Sequence, residues 1–251
     1  MSKSLGNIVS PDEMVARYGA DSTRMYTLFA TSPDRELDWQ DEGVEGIRRT
    51  LGRIYRFVAR NAPVETQLAA SQRAEREKLP AEARKIQRKL HQTIKRVSDD
   101  FHGRWHFNTS IAAIMELVNE LYAVEERAAH SPAEVVPAQL WFEVQRDLVI
   151  LLAPFAPHLA FELWEMLGEK GSLLRTPWPK YDPALAKEDE IAIPVQVNGK
   201  LRGLIVVPVD SSQEVIRERA LSAEKIKTAI AGKQVVKVIV VPGKLANIVV
   251  R

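Results

Sequence analysis

Apolar residues in the middle of the chain recur at helical spacing. Between about Gly43 and Gly168 they return every three or four residues, which places them on one side of a helix. The clearest stripes are Ile47, Leu51, Ile54, Tyr55 and Val58, and then Ile111, Ile114, Met115, Val118 and Tyr122. Because strand-like alternation is absent, residues 43–168 are predicted to form a helical bundle.

Capping and turn residues predict two short helices ahead of this bundle. Ser10 would cap the first helix, with Pro11 at its first position and Gly19 at its end. The second would run from Ser22 to Ala30. Residues 1–42 are therefore interpreted as a stem that leads into the bundle.

The pattern near the C-terminus is that of alternating strands. Two of them flank Asn198-Gly199, a pair typical of a type I′ hairpin turn. Ser211 and Glu214 then form a capping box for a helical stretch that would reach about Ile230. The predicted strands are Ile191–Val197, Leu201–Val207, Val235–Val241 and Asn247–Val250.

The whole chain is thus predicted to be mostly α, in four parts. Residues 1–42 form the stem and residues 43–168 the helical bundle. Residues 169–190, which contain three prolines, are predicted to be a linker. Residues 191–251 would form a small α+β domain.

Charge divides the chain unevenly, although the net charge is only +2. Residues 191–251 carry 10 Lys and Arg against 4 Asp and Glu, a net charge of +6, whereas the other residues carry 25 against 29, a net charge of −4. A basic module behind an acidic body suggests a polyanionic partner. Charge alone favours equally a basic surface that only aids solubility.

Composition narrows the class of protein further. The absence of cysteine excludes disulfides, thiolate metal sites and a cysteine nucleophile. The longest apolar run, Leu148–Ala153, is broken by Pro154 and is too short to cross a bilayer. With no apolar signal segment at the N-terminus, we expect a cytoplasmic protein without a membrane partner.

No set of residues makes a complete catalytic site. His102 and His106 have the spacing of metal ligands, but Gly103 lies between them and no third ligand follows, so no metal site is predicted. The chain contains neither a nucleophile elbow nor a glycine-rich phosphate loop before a helix.

Basic residues, in contrast, form three sets that could follow a phosphate backbone. Two sets lie on single helix faces, and the third belongs to the C-terminal module; a solvated face is the alternative interpretation of each. The candidates are Arg49, Arg53, Arg56 and Arg60; Lys85, Lys89 and Arg96; and Lys200, Arg202, Lys233, Lys237 and Lys244. Lys200 and Arg202 are two apart on a predicted strand, which would place them on one face.

The N-terminal residues resemble a known signature. Met1-Ser2-Lys3-Ser4 is similar to the Lys-Met-Ser-Lys-Ser loop of class I aminoacyl-tRNA synthetases without its first lysine. Tyr18-Gly19-Ala20-Asp21, Arg24 and Leu37-Asp38-Trp39 follow in the order seen where the catalytic domain of these enzymes joins the helical anticodon-binding domain. Phe107-Asn108-Thr109 and Pro154-Phe155-Ala156-Pro157-His158 resemble that helical domain.

The C-terminal residues distinguish between the members of this class. Val195–Gly203 and Val241–Val250 closely resemble the C-terminal domain of bacterial leucyl-tRNA synthetases. The isoleucine enzyme often ends in a cysteine-bound zinc module and the valine enzyme in a coiled coil, and this sequence has neither. The resemblance therefore indicates the C-terminal part of a leucyl-tRNA synthetase.

The resemblance implies a role for each part. The parent enzyme would use ATP and magnesium to attach leucine to its tRNA, with Met1, Ser2, Lys3 and Ser4 near the ATP phosphates. This chain would bind no cofactor and would be inactive alone, because the leucine pocket and the other ATP signature are missing. It would act as a monomer that binds leucine tRNA rather than DNA, with the bundle on the tRNA backbone and the C-terminal domain at the tRNA elbow.

Two other interpretations stay open at this point. The chain could be a free-standing RNA-binding or interaction protein derived from a synthetase. Less favoured is an independent enzyme.

Overall fold

The computed structural model describes residues 9–37, 39–62, 79–128, 135–187, 190–209, 211–241 and 243–251. It divides into two compact units, residues 1–186 and 187–251. The described helices of the first unit are α1 Pro11–Tyr18, α2 Ala20–Ala30, α3 Asp41–Asn61, α4 Ala81–Asp99, α5 Phe107–Arg127, α6 Ala138–Leu152, α7 Pro157–Met166 and α8 Pro183–Ala186. The second unit holds a four-stranded sheet and two helices, so the mostly α fold with a small α+β module is confirmed.

The first apolar stripe forms the buried face of α3, with one exception. Ile47, Leu51, Ile54 and Val58 are buried as predicted. Tyr55 is 40% exposed, so its place in the stripe was wrong. A residue that follows Ile54 directly is turned by about 100° around the helix, and Phe57 occupies the buried face instead.

A buried aspartate fixes the corner between α4 and α5. The chain reverses through a π-helical turn, Asp100–Arg104, in which Gly103 has φ 143°. Asp100 Oδ2 accepts hydrogen bonds from Thr109 Oγ1 at 2.5 Å and Ser110 Oγ at 2.9 Å. Asp100 is only 1% exposed, so these two hydroxyl groups replace part of the water that its carboxylate loses on burial. The same two hydrogen bonds fix the first turn of α5.

A second aspartate joins segments that are far apart in sequence. Asp21 on α2 accepts hydrogen bonds from the backbone N–H groups of His158 at 3.3 Å and Leu159 at 2.7 Å, in the first turn of α7. Its Oδ1 also lies 2.9 Å from His158 Nδ1. Arg24 Nε, one turn along α2, donates to the Pro154 carbonyl at 3.0 Å. Asp21 therefore caps α7 from another helix, in place of a residue at the helix's own N-cap.

The sheet of the second unit has the order β2-β1-β4-β3. Its strands are β1 Glu190–Val197, β2 Lys200–Pro208, β3 Val235–Val241 and β4 Leu245–Val250. Strands β1 and β4 pair in parallel and the other neighbours antiparallel. The helices α9 Gln213–Ser222 and α10 Glu224–Ile230 cover one face, and Ile216 and Ile226 pack into the core there.

Asn198 forms the predicted hairpin turn and also joins two strands. Asn198 and Gly199 have φ 48° and 77°, the positive pair that a type I′ turn needs. The Asn198 side chain donates to the Val250 carbonyl at 3.0 Å and accepts from the Val250 N–H at 2.9 Å. One residue therefore both reverses the β1–β2 hairpin and extends the parallel pairing of β1 with β4.

The capping box was predicted one residue too early. Ser212, not Ser211, is the N-cap of α9, and its Oγ accepts from the Val215 N–H at 3.4 Å. Hydrogen bonds from its own backbone N–H and from Ser212 hold the pKa of Glu214 below its usual value. The helical stretch is also interrupted, because Ala223 takes an extended conformation between α9 and α10.

In the part of the chain that the structure describes, none of the helices combines the length and the apolar character that crossing a membrane requires.

Removing the α7 cap should loosen the first unit. Asp21→Ala leaves two N–H groups of α7 without their acceptor, and we expect it to lower the free energy of unfolding by roughly 2 kcal/mol. Asp21→Asn keeps one acceptor oxygen and should cost less. Denaturant unfolding followed by far-UV circular dichroism measures both. The matched control is Glu162→Ala, which removes an exposed charge from α7 itself, and an equal loss in the control would exclude the capping role.

Asp147 should make stability depend on pH. Its side chain on α6 is 10% exposed, and burial, with Glu143 nearby, raises its pKa from 3.8 to about 7. The folded chain holds this proton more tightly than the unfolded chain, so stability should fall as pH rises from about 4 to about 7. Asp147→Asn stays neutral and should be more stable at about pH 8, by at most about 4 kcal/mol. Identical pH profiles of unfolding free energy for the two proteins would contradict this.

Candidate nucleic-acid interface

The first basic face lies on α3, and only part of it is available to a ligand. Arg60 donates two hydrogen bonds to Glu125 on α5, at 3.0 and 2.7 Å, which raise the pKa of its guanidinium. Arg53 lies over the Tyr122 ring, 4.8 Å from its centroid. Arg49 and Arg56 are exposed. Of the four arginines, Arg53 and Arg60 thus contact side chains of α5, whereas Arg49 and Arg56 are exposed to solvent.

The second basic face, on α4, is largely matched by glutamates of α5. Lys85 Nζ lies 2.7 Å from Glu120, and Lys89 Nζ lies 2.6 Å from Glu116. In a further pair the charges are exchanged between the helices: Arg127 of α5 lies 2.6 Å from Glu82 of α4. Arg96 alone among the predicted α4 residues lies outside these pairs, and it is exposed. These pairs join the N-terminal half of α4 to the antiparallel α5 and neutralise the charges there.

Sequence reasoning missed these glutamates, although a signal was present. Glu116 and Glu120 are four residues apart on α5, as Lys85 and Lys89 are on α4. Equal spacing on two antiparallel neighbours predicts a ladder of ion pairs. Pairs as exposed as these contribute little to stability, about 0–1 kcal/mol each. Their main effect is to reduce the positive charge that the bundle presents.

The third basic set lies on the sheet of the second unit. Lys200 and Arg202 belong to β2 and Lys237 to β3, the two edge strands, and all three are exposed. Val195 and Gln196 of β1 pair with Gly203 and Leu201, which leaves Arg202 as the extra residue of a bulge. The strict alternation from which a shared face was predicted is therefore interrupted between Lys200 and Arg202.

The two remaining residues of this set lie in turns. Lys233 and Lys244 are exposed, and Lys233 Nζ lies 3.4 Å from the Ala229 carbonyl at the end of α10. The described acidic residues of 191–251, in contrast, all lie on α9 and α10: Glu214, Glu218 and Glu224. On β2, β3 and the two turns that carry these lysines and Arg202, the described residues include no acidic side chain.

The signature-loop residues Met1, Ser2, Lys3 and Ser4 lie outside the described residues. Of the histidines with ligand-like spacing, His102 Nδ1 is 2.7 Å from the Ser98 carbonyl, while His106 lines a polar cleft beside the stem. Among the residues that the structure describes, no group of three or more His, Cys, Asp or Glu could hold a metal ion.

Two family models match this chain. Residues 1–40 match that of class I tRNA synthetases for isoleucine, leucine, methionine and valine. Residues 83–217, more than half of the chain, match that of the anticodon-binding domain of tRNA ligase.

Similar proteins span the whole chain. It is 47% identical over 251 residues to a leucine–tRNA ligase of Solibacter usitatus and 46% identical over 250 residues to one of Geobacter sp. strain M21. It is also similar to a LeuRS of Agrobacterium radiobacter K84, solved in a ternary complex with tRNA and LeuAMS, with a TM-score of 0.75, 32% identity and all of this chain covered.

The chain spans only about a third of these proteins: 29% of each of the two ligases and 31% of the solved LeuRS. The match to the anticodon-binding model and the similarity along the full chain nevertheless agree. The chain belongs to the family of tRNA ligases with this anticodon-binding domain, and it is homologous to the C-terminal portion of leucine–tRNA ligases.

Proposed function

We propose that this chain is the tRNA-docking part of a leucine–tRNA ligase. The complete protein would use ATP and magnesium to attach leucine to its tRNA, and this chain would orient the tRNA without a cofactor of its own. The observation that carries the proposal is similarity along the whole chain to leucine–tRNA ligases, one of them in a complex with tRNA.

The charge distribution supports a leading role for the C-terminal module. Phosphates that contact Lys or Arg release condensed counterions, so unbalanced cations contribute most to RNA affinity. Residues 191–251 have a net charge of +6, and β2 and β3 carry Lys200, Arg202 and Lys237 but no acidic residue. The bundle offers fewer such groups, since Lys85, Lys89 and Arg60 already face glutamates. We therefore assign a smaller part of the binding to Arg49, Arg56 and Arg96.

The proposed division of labour follows the sequence. Residues 1–42 would join the catalytic part, where Lys3 would approach the ATP phosphates. Residues 43–168 would contact the tRNA backbone, residues 169–190 would link, and residues 191–251 would meet the tRNA elbow. We further propose a cytoplasmic monomer whose partner is leucine tRNA rather than DNA or a membrane.

The chain alone should not activate leucine. Its match to the class I synthetase model covers only residues 1–40, so most of the groups that bind leucine and ATP belong to other parts of such a protein. Leucine-dependent exchange of pyrophosphate into ATP should stay at the level of a control without protein. Exchange above that level would contradict the assignment of the chain as a docking part.

Binding of leucine tRNA should depend steeply on salt and on the C-terminal module. With roughly five phosphate contacts, log affinity should fall with log salt concentration with a slope of about −4. Replacing Lys200, Arg202 and Lys237 together by alanine should weaken binding roughly tenfold or more at low salt. It should also flatten the slope by about one for each phosphate that a cation no longer neutralises. Filter binding across a salt series measures both quantities.

A control with the same change in charge separates contact from net charge. Lys170, Arg175 and Lys180 are exposed cations of the first unit, and their triple alanine variant removes the same three charges. We expect this control to lose much less affinity. If the two triple variants bind equally, or if the first binds like the parent, the C-terminal module is not a tRNA contact.

A further inference from the structure

A polar cleft lies where the loop after α2 meets the first turn of α5. It has a volume of about 350 Å³. One wall consists of Ala30 at the end of α2 and of Thr31, Ser32, Asp34 and Arg35 in the loop, and the other consists of His106, Asn108 and Thr109. None of these residues belongs to the three basic sets. The cleft combines a guanidinium, a carboxylate, an imidazole, an amide and three hydroxyl groups in a small volume.

We propose that this cleft binds one ribonucleotide of the docked RNA, with Arg35 and His106 at a phosphate and Asp34 as acceptor of the ribose 2′-hydroxyl. The proposal rests on the proposed function, because it takes the RNA to be tRNA. It adds a site that reads the chemistry of the sugar, whereas the basic sets respond only to phosphate charge.

The phosphate side of the cleft has suitable donors. A guanidinium matches two phosphate oxygens at once, and Arg35 is exposed. His106 is the N-cap of α5, a helix of 21 residues, and its side chain does not cap that helix. The first turn of α5 forms this wall, so the positive end of its dipole lies there, beside the Asp100 carboxylate that bonds Thr109 and Ser110.

Asp34 determines which ligand fits. A hydrogen bond from Ser32, with its own backbone N–H and the nearby Arg35 and His106, lowers the pKa of Asp34 below its ordinary value. The carboxylate is therefore ionised at neutral pH and can only accept hydrogen bonds. It would repel an isolated phosphate but can accept from a hydroxyl. A ligand that presents a phosphate and a hydroxyl a few bonds apart satisfies both walls, and a ribonucleotide does so where a deoxynucleotide does not.

The cleft continues toward a residue of the predicted interface. Thr109 also lines a groove of about 300 Å³ between α4 and α5, together with Lys89, Gln92 and Arg96. The Thr109 hydroxyl lies within hydrogen-bond distance of Asp100 Oδ2 and of the His106 carbonyl. Thr109, which lines both the cleft and the groove, is therefore fixed in position. A phosphate next to the bound nucleotide could thus reach exposed Arg96.

The decisive test uses the sign of a charge change. Asp34→Ala removes a negative charge, so electrostatics alone predicts equal or tighter binding of RNA. Loss of the hydroxyl acceptor predicts the reverse, roughly tenfold weaker binding of a leucine tRNA transcript. Glu36→Ala is the matched control, because it removes an exposed acidic residue of the same loop that does not line the cleft. We expect the control to bind as tightly as the parent chain or more tightly.

A second measurement identifies the sugar contact. A pool of transcripts with random 2′-deoxy substitutions is partitioned by binding to the parent chain and to the Asp34→Ala variant. At the contacted nucleotide, deoxy substitution should interfere with binding to the parent but not to the variant. Phosphorothioate substitution next to it should lose its interference with Arg35→Ala. Thermal unfolding of each variant, which should match the parent, excludes a collapsed loop.

The outcomes separate this proposal from the proposed function. If the parent binds the transcript and responds to the triple change at Lys200, Arg202 and Lys237, but Asp34→Ala binds like Glu36→Ala, only the ribonucleotide site is wrong. Identical interference patterns for the parent and the Asp34→Ala variant lead to the same conclusion. If the parent does not bind the transcript, both proposals are overturned.

Discussion

The first unit depends on a carboxylate that acts far from its place in the sequence. Asp21 lies on α2, yet its oxygens accept the N–H groups of His158 and Leu159 that begin α7. The first N–H groups of a helix have no partner within the helix, and α7 has Pro157 at its first position but no side-chain cap of its own. Arg24 adds a bond to the Pro154 carbonyl. The stem is thereby fastened to the α6–α7 turn by two side chains of one helix.

This arrangement explains why two separated motifs belong together. Tyr18-Gly19-Ala20-Asp21 and Pro154-Phe155-Ala156-Pro157-His158 resemble parts of one enzyme class as sequences, and in the structure they meet. Two backbone N–H groups and the His158 ring lie within hydrogen-bond distance of the Asp21 carboxylate, whose side chain is only 12% exposed. The energy of desolvating the carboxylate is recovered through those bonds, so a neutral or shorter residue cannot replace it at equal stability. The resemblance identified these two motifs, and the fold gives the physical reason for Asp21: it accepts the N–H groups that begin α7.

How far the sequence predicts this structure depends on the range of the interaction. Local signals worked: the apolar period of α3, the Asn198-Gly199 turn and the glycine after α1 each depend on a few neighbouring residues. Errors arose where a one-residue shift matters, as with Tyr55 and with Ser211 in place of Ser212. The basic stripes by themselves did not identify their partners: Arg60 meets Glu125 across 65 residues, and the matching glutamate spacing on α5 was overlooked. The cleft was missed for the same reason: Arg35 and His106 become neighbours only when the loop after α2 packs beside α5.

The paired charges of α4 and α5 act over short distances, whereas the exposed cations of β2 and β3 act over longer ones. In an α4–α5 ion pair the two charges are less than 3 Å apart, so their fields cancel within a short distance. The exposed cations of β2 and β3 produce a field that reaches about 8 Å at physiological ionic strength. In the proposed complex an approaching tRNA is therefore attracted first by the sheet of the second unit. In the cleft beside the stem the charges of Arg35 and Asp34 oppose each other, and hydrogen bonds to a ribose require contact, so its contribution comes after docking. In the proposed complex the bundle, whose lysines Lys85 and Lys89 already face glutamates, would add less to this long-range attraction than the sheet.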